Sequence, residues 1–410
     1  MYRNLNLLLG GQLVSQVGDK FHMLAIAFLV LKTTGSPAKM GLVLFCSIFP
    51  GMMLGIVAGA IIDRYNRKKI IVFADVARGM IVLAMSFLYV AELLSFGLLL
   101  LAQVLISVCT AFFDPAIPAM LPQIVDQEEL TRANSKTQLV SGIATIAGPV
   151  LGGLTVAWSG YLVAFLINAF SYLFSALFES YIRLGPVVRQ NTVVTKLWED
   201  IKEGCHYIGG ASQLMTILLM VAIIHFLVGS VEAAIPVLAT MLKGGSAENI
   251  GFIQTSFGIG SVLAAFIISI RSINGREVGF LFGSVCCMGM VFLMIGGVFA
   301  VGARFVGFFL FFFVCLGSLV IFAGTSFRSL IQKEVPEEML GRVFGVVSSV
   351  GNISIPLAIL LSGMLLEYVG PEVLLAVCGM MLLPVALISW KIYSTSNQCN
   401  PSADCRAAIH

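Results

Sequence analysis

The chain has 410 residues, of which 59% are hydrophobic and 11% are charged. Soluble domains carry roughly 25% charged residues, so this composition excludes a soluble globular protein. The formal net charge of +3 gives no reason to expect nucleic acid as a partner, and the mean hydropathy of +1.00 favours a chain embedded in a lipid bilayer.

Apolar stretches of roughly 20 residues, the length that crosses a bilayer as a helix, follow one another along the chain. We predict spans at residues 5–31, 40–62, 69–91, 96–119, 137–158, 160–183, 212–240, 249–271, 277–301, 304–325, 344–366 and 371–393. The turns near residues 159 and 303 are the tightest. The expected fold class is an all-α membrane protein with 12 transmembrane helices.

The two halves of the chain resemble each other at an offset of 210 residues. Gly35-Ser36 ahead of Gly41 recurs as Gly245-Ser246 ahead of Gly251. We therefore predict two six-helix bundles, residues 1–185 and 207–393, joined by a cytoplasmic linker (186–206) and followed by a disordered cytoplasmic tail (394–410). Two such halves in an apolar chain are typical of a secondary transporter whose binding site lies between them.

Lysine and arginine predict the orientation. If the N-terminus is cytoplasmic, 18 of the 24 Lys and Arg residues lie in segments on the inner side. This asymmetry follows the positive-inside rule, so we expect a multi-pass protein of the cell (inner) membrane with both termini in the cytoplasm.

Helix 1 carries polar residues at membrane depth, where burying them is costly and indicates function. One face holds Gln12, Ser15, Gln16, Asp19 and Met23, and Lys20 and His22 flank that face. We predict that this face lines a cavity and that Asp19 takes part in proton coupling. The alternative for Asp19 is a static ion pair with another helix.

The loop after helix 2 contains Gly59, Asp63-Arg64 and Arg67. A small residue such as Gly59 lets helices approach closely, and Asp63 can accept bonds from a helix N-terminus or an Arg. We predict a latch on the cytoplasmic side, which Asp75 and Arg78 join. The alternative is that these basic residues serve only topology. Asp114, near the end of helix 4, is a candidate for gating or coupling.

Helix 5 contains Gly148-Pro149 and Gly152-Gly153. Small residues permit close helix packing, and Pro149 frees a backbone carbonyl so that the helix can bend. Ordinary packing without a functional role is the alternative.

Helix 7 places His225 and Glu232 on one face, seven residues apart. A carboxylate in a partly dry cavity can change between the neutral and charged forms near pH 7, as proton coupling requires. We predict Glu232 as the counterpart of Asp19 in the second half. His225 is either part of this site or a hydrogen-bonded packing residue.

The loop from Gly59 to Lys69 resembles the signature loop of the major facilitator superfamily, and the helix 5 glycines resemble a signature of exporters in that superfamily. Residues 11–16, 34–36, 111–116, 121–125, 128–134 and 335–338 resemble a narrower group, the Mef-type macrolide exporters and the enterobactin exporters. This resemblance implies a twelve-helix, proton-driven exporter and does not fix its substrate.

The sequence thus favours a monomeric antiporter that exports an amphipathic small molecule, such as a macrolide-like drug or a siderophore. The alternatives are an uptake permease of the same fold, and a non-transporting receptor or lipid scramblase. The chain has neither a Walker loop nor a zinc-protease spacing nor a nucleophile elbow, so we expect no ATP, metal, cofactor or enzymatic activity.

Overall fold

The computed structural model describes residues 2–62, 65–126, 129–184, 195–210, 212–242, 246–271, 275–302 and 304–398. Within these ranges all regular elements are helices. They are α1 (Tyr2–Thr34), α2 (Pro37–Ile62), α3 (Arg67–Val90), α4 (Phe96–Ile124), α5 (Leu130–Ser180), α6 (Thr195–Gly210), α7 (Ser212–Met241), α8 (Ser246–Ile270), α9 (Glu277–Ala300), α10 (Val306–Glu334), α11 (Glu337–Leu365) and α12 (Pro371–Gln398). Eleven of the helices in these ranges are long and apolar enough to cross a membrane. The chain is an all-α membrane protein, as its composition predicts.

One of these helices, α5, is 51 residues long, about twice the length that a single crossing needs. It bends at Gly160, whose φ of 78° and ψ of 179° are not helical. Glycine adopts a positive φ at little steric cost because it lacks a Cβ atom. The bend divides α5 into a first arm, residues 130–159, and a second arm, residues 161–180. The tight turn predicted near residue 159 lies at this bend, and the spans provide twelve crossings.

Several helices extend beyond the apolar spans that the sequence predicts. Helix α4 ends at Ile124 rather than at residue 119, and α5 begins at Leu130 rather than at 137. Hydropathy detects only the part of a helix that lies in hydrocarbon, whereas the helical hydrogen bonds continue into the polar region. Helix α12 likewise continues to Gln398, so residues 394–398 of the segment predicted to be disordered are helical. Residues 399–410 lie outside the described residues.

The 210-residue offset reappears in the helix boundaries. Shifting α3 and α4 by 210 residues gives the bounds of α9 and α10. A close contact is repeated as well, because α2 meets α4 at Gly51 and Ser107, and α8 meets α10 at the equivalent Ser261 and Gly317. In each pair one residue is glycine, which has no side chain to hold the helices apart.

The helices pack mainly within each half of the chain. In the first half α1 and α3 pack against α5, and α2 packs against α4; in the second, α7 packs against α11, α8 against α10 and α9 against α12. The halves meet where α2 contacts α11 and where α5 contacts α8. Short connections make consecutive helices antiparallel. We call the side where α1 begins and α12 ends the terminal face, and the other side the opposite face.

The halves touch near the opposite face. A Cβ atom on Gly41 of α2 would lie 2.8 Å from the carbonyl oxygen of Ile359, and one on Gly363 of α11 would lie 2.9 Å from the Gly41 Cα. Beside this contact the Glu367 carboxylate accepts hydrogen bonds from the Ser36 hydroxyl and, at 3.3 Å, from the Ala38 N–H at the start of α2.

Nearer the terminal face the same helices are separated. A Cβ atom on Gly55 of α2, Gly142 of α5 or Gly345 of α11 would meet no neighbouring atom within 4 Å. The space between the halves therefore opens toward the terminal face and is closed toward the opposite face.

The Glu367 contact leads to a prediction about this closure. Replacing Glu367 with Gln removes the charge from an exposed hydrogen-bonded contact worth about 0.5–1 kcal/mol, so we expect the state open at the opposite face to be roughly two- to fivefold more populated. Spin labels at residues 98 and 308, at the opposite-face ends of α4 and α10, would report this as a longer inter-label distance. Glu92→Gln, an exposed carboxylate at the same face, is the matched control, and identical distance distributions for both variants would contradict the prediction.

A second prediction concerns the packing of α8 on α10. A Cβ atom on Gly260 would lie 1.9 Å from the Val314 carbonyl oxygen, so Gly260→Ala forces the two backbones apart. Overpacking of this kind costs about 1–3 kcal/mol, and we expect a lower thermal midpoint for the detergent-solubilised protein. Gly279→Ala, where the new methyl group meets nothing within 4 Å, should leave the midpoint unchanged or raise it.

Candidate functional site between the two halves

A cavity of about 470 Å³ lies where the two halves face each other. Helices α1, α2 and α5 of the first half line it together with α7, α8, α9, α10 and α11 of the second. Its lining is largely apolar and includes Met23, Leu24, Ile48, Phe257, Met288, Phe292, Phe313 and Leu316. The polar members of the lining are Lys20, Thr145, Glu232 and Gln254. A cavity of this composition can hold the apolar body of a small molecule and make a few directed polar contacts to it.

The helix 5 glycines bring α1 to the edge of this cavity. A Cβ atom on Gly148 would lie 2.5 Å from the Lys20 Cβ, and one on Gly152 would lie 3.1 Å from the Phe21 Cα. Pro149 faces the other half, since its carbonyl oxygen is 3.2 Å from the Cβ position of Gly251 on α8. Gly153 is buried. The run from 148 to 153 thus packs α5 against one helix of each half.

Two opposite charges face this cavity. Lys20 projects from α1, and Glu232 projects from α7 with an exposed side chain that lines the same space. Glu232, the predicted coupling residue of the second half, lies in this lining, and its part in proton coupling stays a prediction. The sequence predicts Lys20 only at the edge of the polar face of α1. In the structure, Lys20 is the charged residue of α1 that lines the cavity.

Asp19 lies elsewhere, which corrects the prediction that the polar residues of this α1 face line the cavity; Met23, the apolar member of the face, does line it. Its carboxylate accepts a hydrogen bond from the Tyr172 hydroxyl on the second arm of α5. The reason is packing: a Cβ atom on Gly18 would lie 2.2 Å from the Ser171 Oγ, and one on Gly11 would lie 3.0 Å from the Ser175 Oγ. These glycines hold that side of α1 against α5. Adjacent residues point about 100° apart on a helix, so Lys20 then faces the cavity.

The same rotation of α1 determines where the predicted residues Gln12 and Gln16 lie. Gln12 is buried, and its backbone carbonyl accepts a hydrogen bond of 3.3 Å from the Ser15 hydroxyl. Gln16 is half-buried. Neither glutamine belongs to the cavity lining described above.

The two histidines make structural hydrogen bonds. The buried His22 Nε2 lies 3.1 Å from the Gln103 amide nitrogen, and the Gln103 oxygen accepts a 3.0 Å bond from the Ser47 hydroxyl. The His225 Nδ1 lies 2.8 Å from the Val221 carbonyl oxygen, which is one helical turn earlier. The His225 geometry agrees with the packing interpretation, and His22 ties α1 to α4 and, through Ser47, to α2.

Asp19 is part of a cluster of charged side chains within the first half, in which Asp75, Arg78 and Glu179 are buried and Asp114 is exposed. Arg78 is 2% exposed and donates to the Asp75 carboxylate, which is fully buried. The guanidinium lies between two rings, 4.1 Å from the Phe113 centroid and 4.5 Å from that of Tyr172. We call the group formed by Asp19, Asp75, Arg78, Asp114, Tyr172, Ser175 and Glu179 the Arg78 cluster.

This cluster holds an excess of acidic groups. Four carboxyls, from Asp19, Asp75, Asp114 and Glu179, lie within electrostatic range of the single guanidinium of the cluster. In a low-dielectric interior such a set cannot be fully ionised without compensating charge. Lys20 lies within electrostatic range of Asp19 and offsets part of the surplus, and bound protons or a cation must balance the rest.

The predicted latch is only partly described. Asp63 and Arg64 lie outside the described residues, and the surroundings of Gly59 do as well. Arg67 donates a 2.6 Å hydrogen bond from Nη1 to the Ala119 carbonyl oxygen on α4. Asp75 and Arg78, which are three residues apart on α3, pair with each other and belong to the Arg78 cluster rather than to contacts seen at this loop.

The residues predicted from the sequence do not include Tyr172 or Ser175. A signal for them exists, because Asn168, Tyr172, Ser175 and Glu179 recur at spacings of three and four on one face of an apolar helix. Helix-spaced polar residues at membrane depth are costly unless they meet partners from other helices.

This architecture, with two halves, a cavity between them and ionisable groups at membrane depth, defines a multi-pass transporter of the major facilitator type. A family profile described as "Transmembrane secretion effector" matches residues 5–405. The chain belongs to this family of major facilitator transporters, and it is a transporter rather than an enzyme.

Individual proteins agree with that assignment. The chain is 28% identical over 400 residues to the "Uncharacterized MFS-type transporter YfiS" of Bacillus subtilis (strain 168), covering 95% of this chain and 94% of the relative. It is 23% identical over 382 residues to the "Macrolide efflux protein A" of Streptococcus pyogenes, with 92% and 93% covered. The crystal structure of a bacterial homologue of the iron transporter ferroportin in an inward-facing state has the same fold, with a TM-score of 0.72, 15% identity, and 97% and 99% of the two chains covered.

Proposed function

We propose that this transporter exports an amphipathic small molecule from the cytoplasm in exchange for protons. The observation that carries the proposal is the largely apolar cavity between the halves, with Glu232 and Lys20 in its lining and the acid-rich Arg78 cluster beside it. A proton and a cationic group of the cargo can each balance the same negative charge, so the binding of one opposes the binding of the other.

The lining favours a particular kind of cargo. The aromatic side chains of Phe257, Phe292 and Phe313 offer an apolar surface, and Glu232 attracts a cationic group. Macrolide-like drugs combine a large apolar body with an amine. The likeness to a macrolide efflux protein supports this class of cargo, and a siderophore is the second candidate.

Alternating access supplies the transport step. The space between the halves opens at the terminal face, which the Lys and Arg distribution predicts to be cytoplasmic. Cargo enters the cavity that Glu232 lines from that side. Residues 1–185 and 207–393 then rock against each other as two six-helix bundles, and the protein works as a monomer in the cell membrane. Asp63, in the loop after α2, latches the terminal face once it has closed.

Transport in liposomes tests this function. With the purified chain in liposomes of acidic lumen, we expect radiolabelled erythromycin to accumulate inside while the lumen becomes more alkaline. A protonophore should abolish both signals. Accumulation driven instead by an alkaline lumen would indicate proton symport, as in an uptake permease. Equal movement with and without a pH gradient would exclude proton coupling.

A further inference from the structure

Two opposite charges in the cavity lining are left unpaired. Lys20 on α1 and Glu232 on α7 are the charged residues of that lining. Within the described part of the chain, neither side chain makes a hydrogen bond, and neither has an ion-pair partner within 4.0 Å. Elsewhere a lysine and a carboxylate do close on each other, as in the Lys333–Glu277 pair between α10 and α9. The cavity therefore presents a cation and an anion that are both available to a ligand.

Packing holds the stem of Lys20 at the edge of the cavity. A Cβ atom on Gly148 of α5 would lie 2.5 Å from the Lys20 Cβ and 2.8 Å from its Cγ, so the glycine makes room for the lysine stem. The carboxylate of the neighbouring Asp19 is directed to the Tyr172 hydroxyl. An ammonium group donates up to three hydrogen bonds and accepts none. This part of the lining therefore suits an anionic group of a ligand, such as a carboxylate.

The α7 side of the cavity offers hydrogen-bond acceptors. Val228, Glu232 and Pro236 recur every four residues, so one face of α7 lines the cavity. Proline has no N–H, and Pro236 therefore cannot donate the regular helical hydrogen bond to the carbonyl oxygen of residue 232. Glu232 thus contributes a carboxylate and a backbone carbonyl oxygen released from its regular helical bond. A ligand ammonium group, with three N–H donors, can bond to both.

Both charges belong to one compact space with apolar walls. Its volume of about 470 Å³ equals that of a sphere roughly 10 Å across, so one small molecule can reach Lys20 and Glu232 together. Phe257, Phe292 and Phe313 belong to the same lining and can cover an apolar body held between the two charges.

We propose that the preferred cargo is an amphipathic zwitterion of about dipeptide size, with its ammonium group at Glu232, its carboxylate at Lys20 and its apolar body against the phenylalanines. This inference rests on the export function proposed above and narrows the cargo class. A bound zwitterion balances both charges of the lining. A purely cationic drug, such as a macrolide, makes the Glu232 contact but leaves the Lys20 ammonium unbalanced. Lys20 is then the residue that distinguishes the two classes of cargo.

Three matched probes test this assignment by equilibrium binding to the purified, detergent-solubilised chain. They are the dipeptide phenylalanyl-alanine, its C-terminal amide, which lacks the anion, and its N-acetyl derivative, which lacks the cation. We expect the dipeptide to bind roughly tenfold more tightly than either derivative, because each derivative loses one charge-assisted contact. Equal affinities of the dipeptide and its amide overturn the proposal, and so does the absence of binding by all three probes.

Variants of the two charged residues assign the contacts. Lys20→Met should remove the advantage of the dipeptide over its amide while binding of the amide persists, which also shows that the variant is folded. Lys20→Arg keeps the charge and should keep the advantage, whereas Glu232→Gln should weaken the dipeptide and the amide and spare the N-acetyl derivative. Lys32→Met is the matched control, because Lys32 is an exposed lysine in the last turn of the same helix, outside the cavity lining. A dipeptide advantage that survives in Lys20→Met refutes the proposal.

Failure of this inference can be distinguished from failure of the proposed function, since the binding measurement needs neither a membrane nor a pH gradient. Binding that depends on both charges, combined with transport that ignores the gradient, would refute proton coupling and support the cargo class. Gradient-driven export of erythromycin, combined with equal binding of the dipeptide and its amide, would refute the cargo class alone.

Discussion

Neutral replacement of the two candidate coupling carboxylates, Asp19→Asn and Glu232→Gln, is expected to reduce pH-gradient-driven export to the level of empty liposomes. Glu232 lines the cavity, and Asp19 belongs to the Arg78 cluster, where its carboxylate accepts a hydrogen bond from the Tyr172 hydroxyl. An amide cannot take up or release a proton in this range, so neither variant can exchange cargo for protons. Exchange of labelled for unlabelled cargo needs only alternating access and should persist.

Glu92→Gln is the matched control for these variants, since Glu92 is an exposed carboxylate in the turn after α3. It should export like wild type. The two test variants are expected to differ in cargo affinity, because Glu232 contacts the cavity directly and Asp19 does not. Full gradient-driven export by the Asp19→Asn and Glu232→Gln double variant would show that these carboxylates are not the coupling sites.

Arg78→Ala is expected to cause the largest loss of stability. The guanidinium is the buried cation of a cluster with four carboxyls, of which Asp75 and Glu179 are fully buried, and its removal leaves Asp75 uncompensated. Breaking a buried pair by deleting one partner costs about 3–5 kcal/mol. The cavity left between the rings of Phe113 and Tyr172 adds to this cost. We expect a markedly lower thermal midpoint and a low yield of monodisperse protein.

Two companion variants separate charge from packing at this site. Arg78→Lys keeps the charge but loses the planar stacking between the rings, so it should be intermediate. Arg304→Ala removes an exposed arginine at the opposite face and should leave the midpoint within a degree or so of wild type, since exposed charges contribute about 0–1 kcal/mol. A thermal midpoint for Arg78→Ala equal to that of wild type would contradict the role assigned to the cluster.

The class and architecture of this protein follow from local properties that a sequence records directly. A helix in lipid must satisfy its own backbone hydrogen bonds across the fixed thickness of the bilayer. The length and hydropathy of each spanning helix can therefore be recognised in the sequence. The repeat is likewise visible, because the Gly35-Ser36 and Gly245-Ser246 turns must each reverse the chain. The same logic located the bend near residue 159.

Tertiary packing decided which face of α1 meets the cavity and which groups surround Arg78. Helical periodicity gives the angles between Asp19 and its neighbours, but not the rotation of the whole helix. Gly11 and Gly18 leave room for the side chains of Ser175 and Ser171 on α5, and this packing fixes the rotation of α1. Lys20 therefore faces the cavity and Asp19 meets Tyr172. These partners lie more than 150 residues apart in the chain, and only the close approach of helices makes one buried cluster of them.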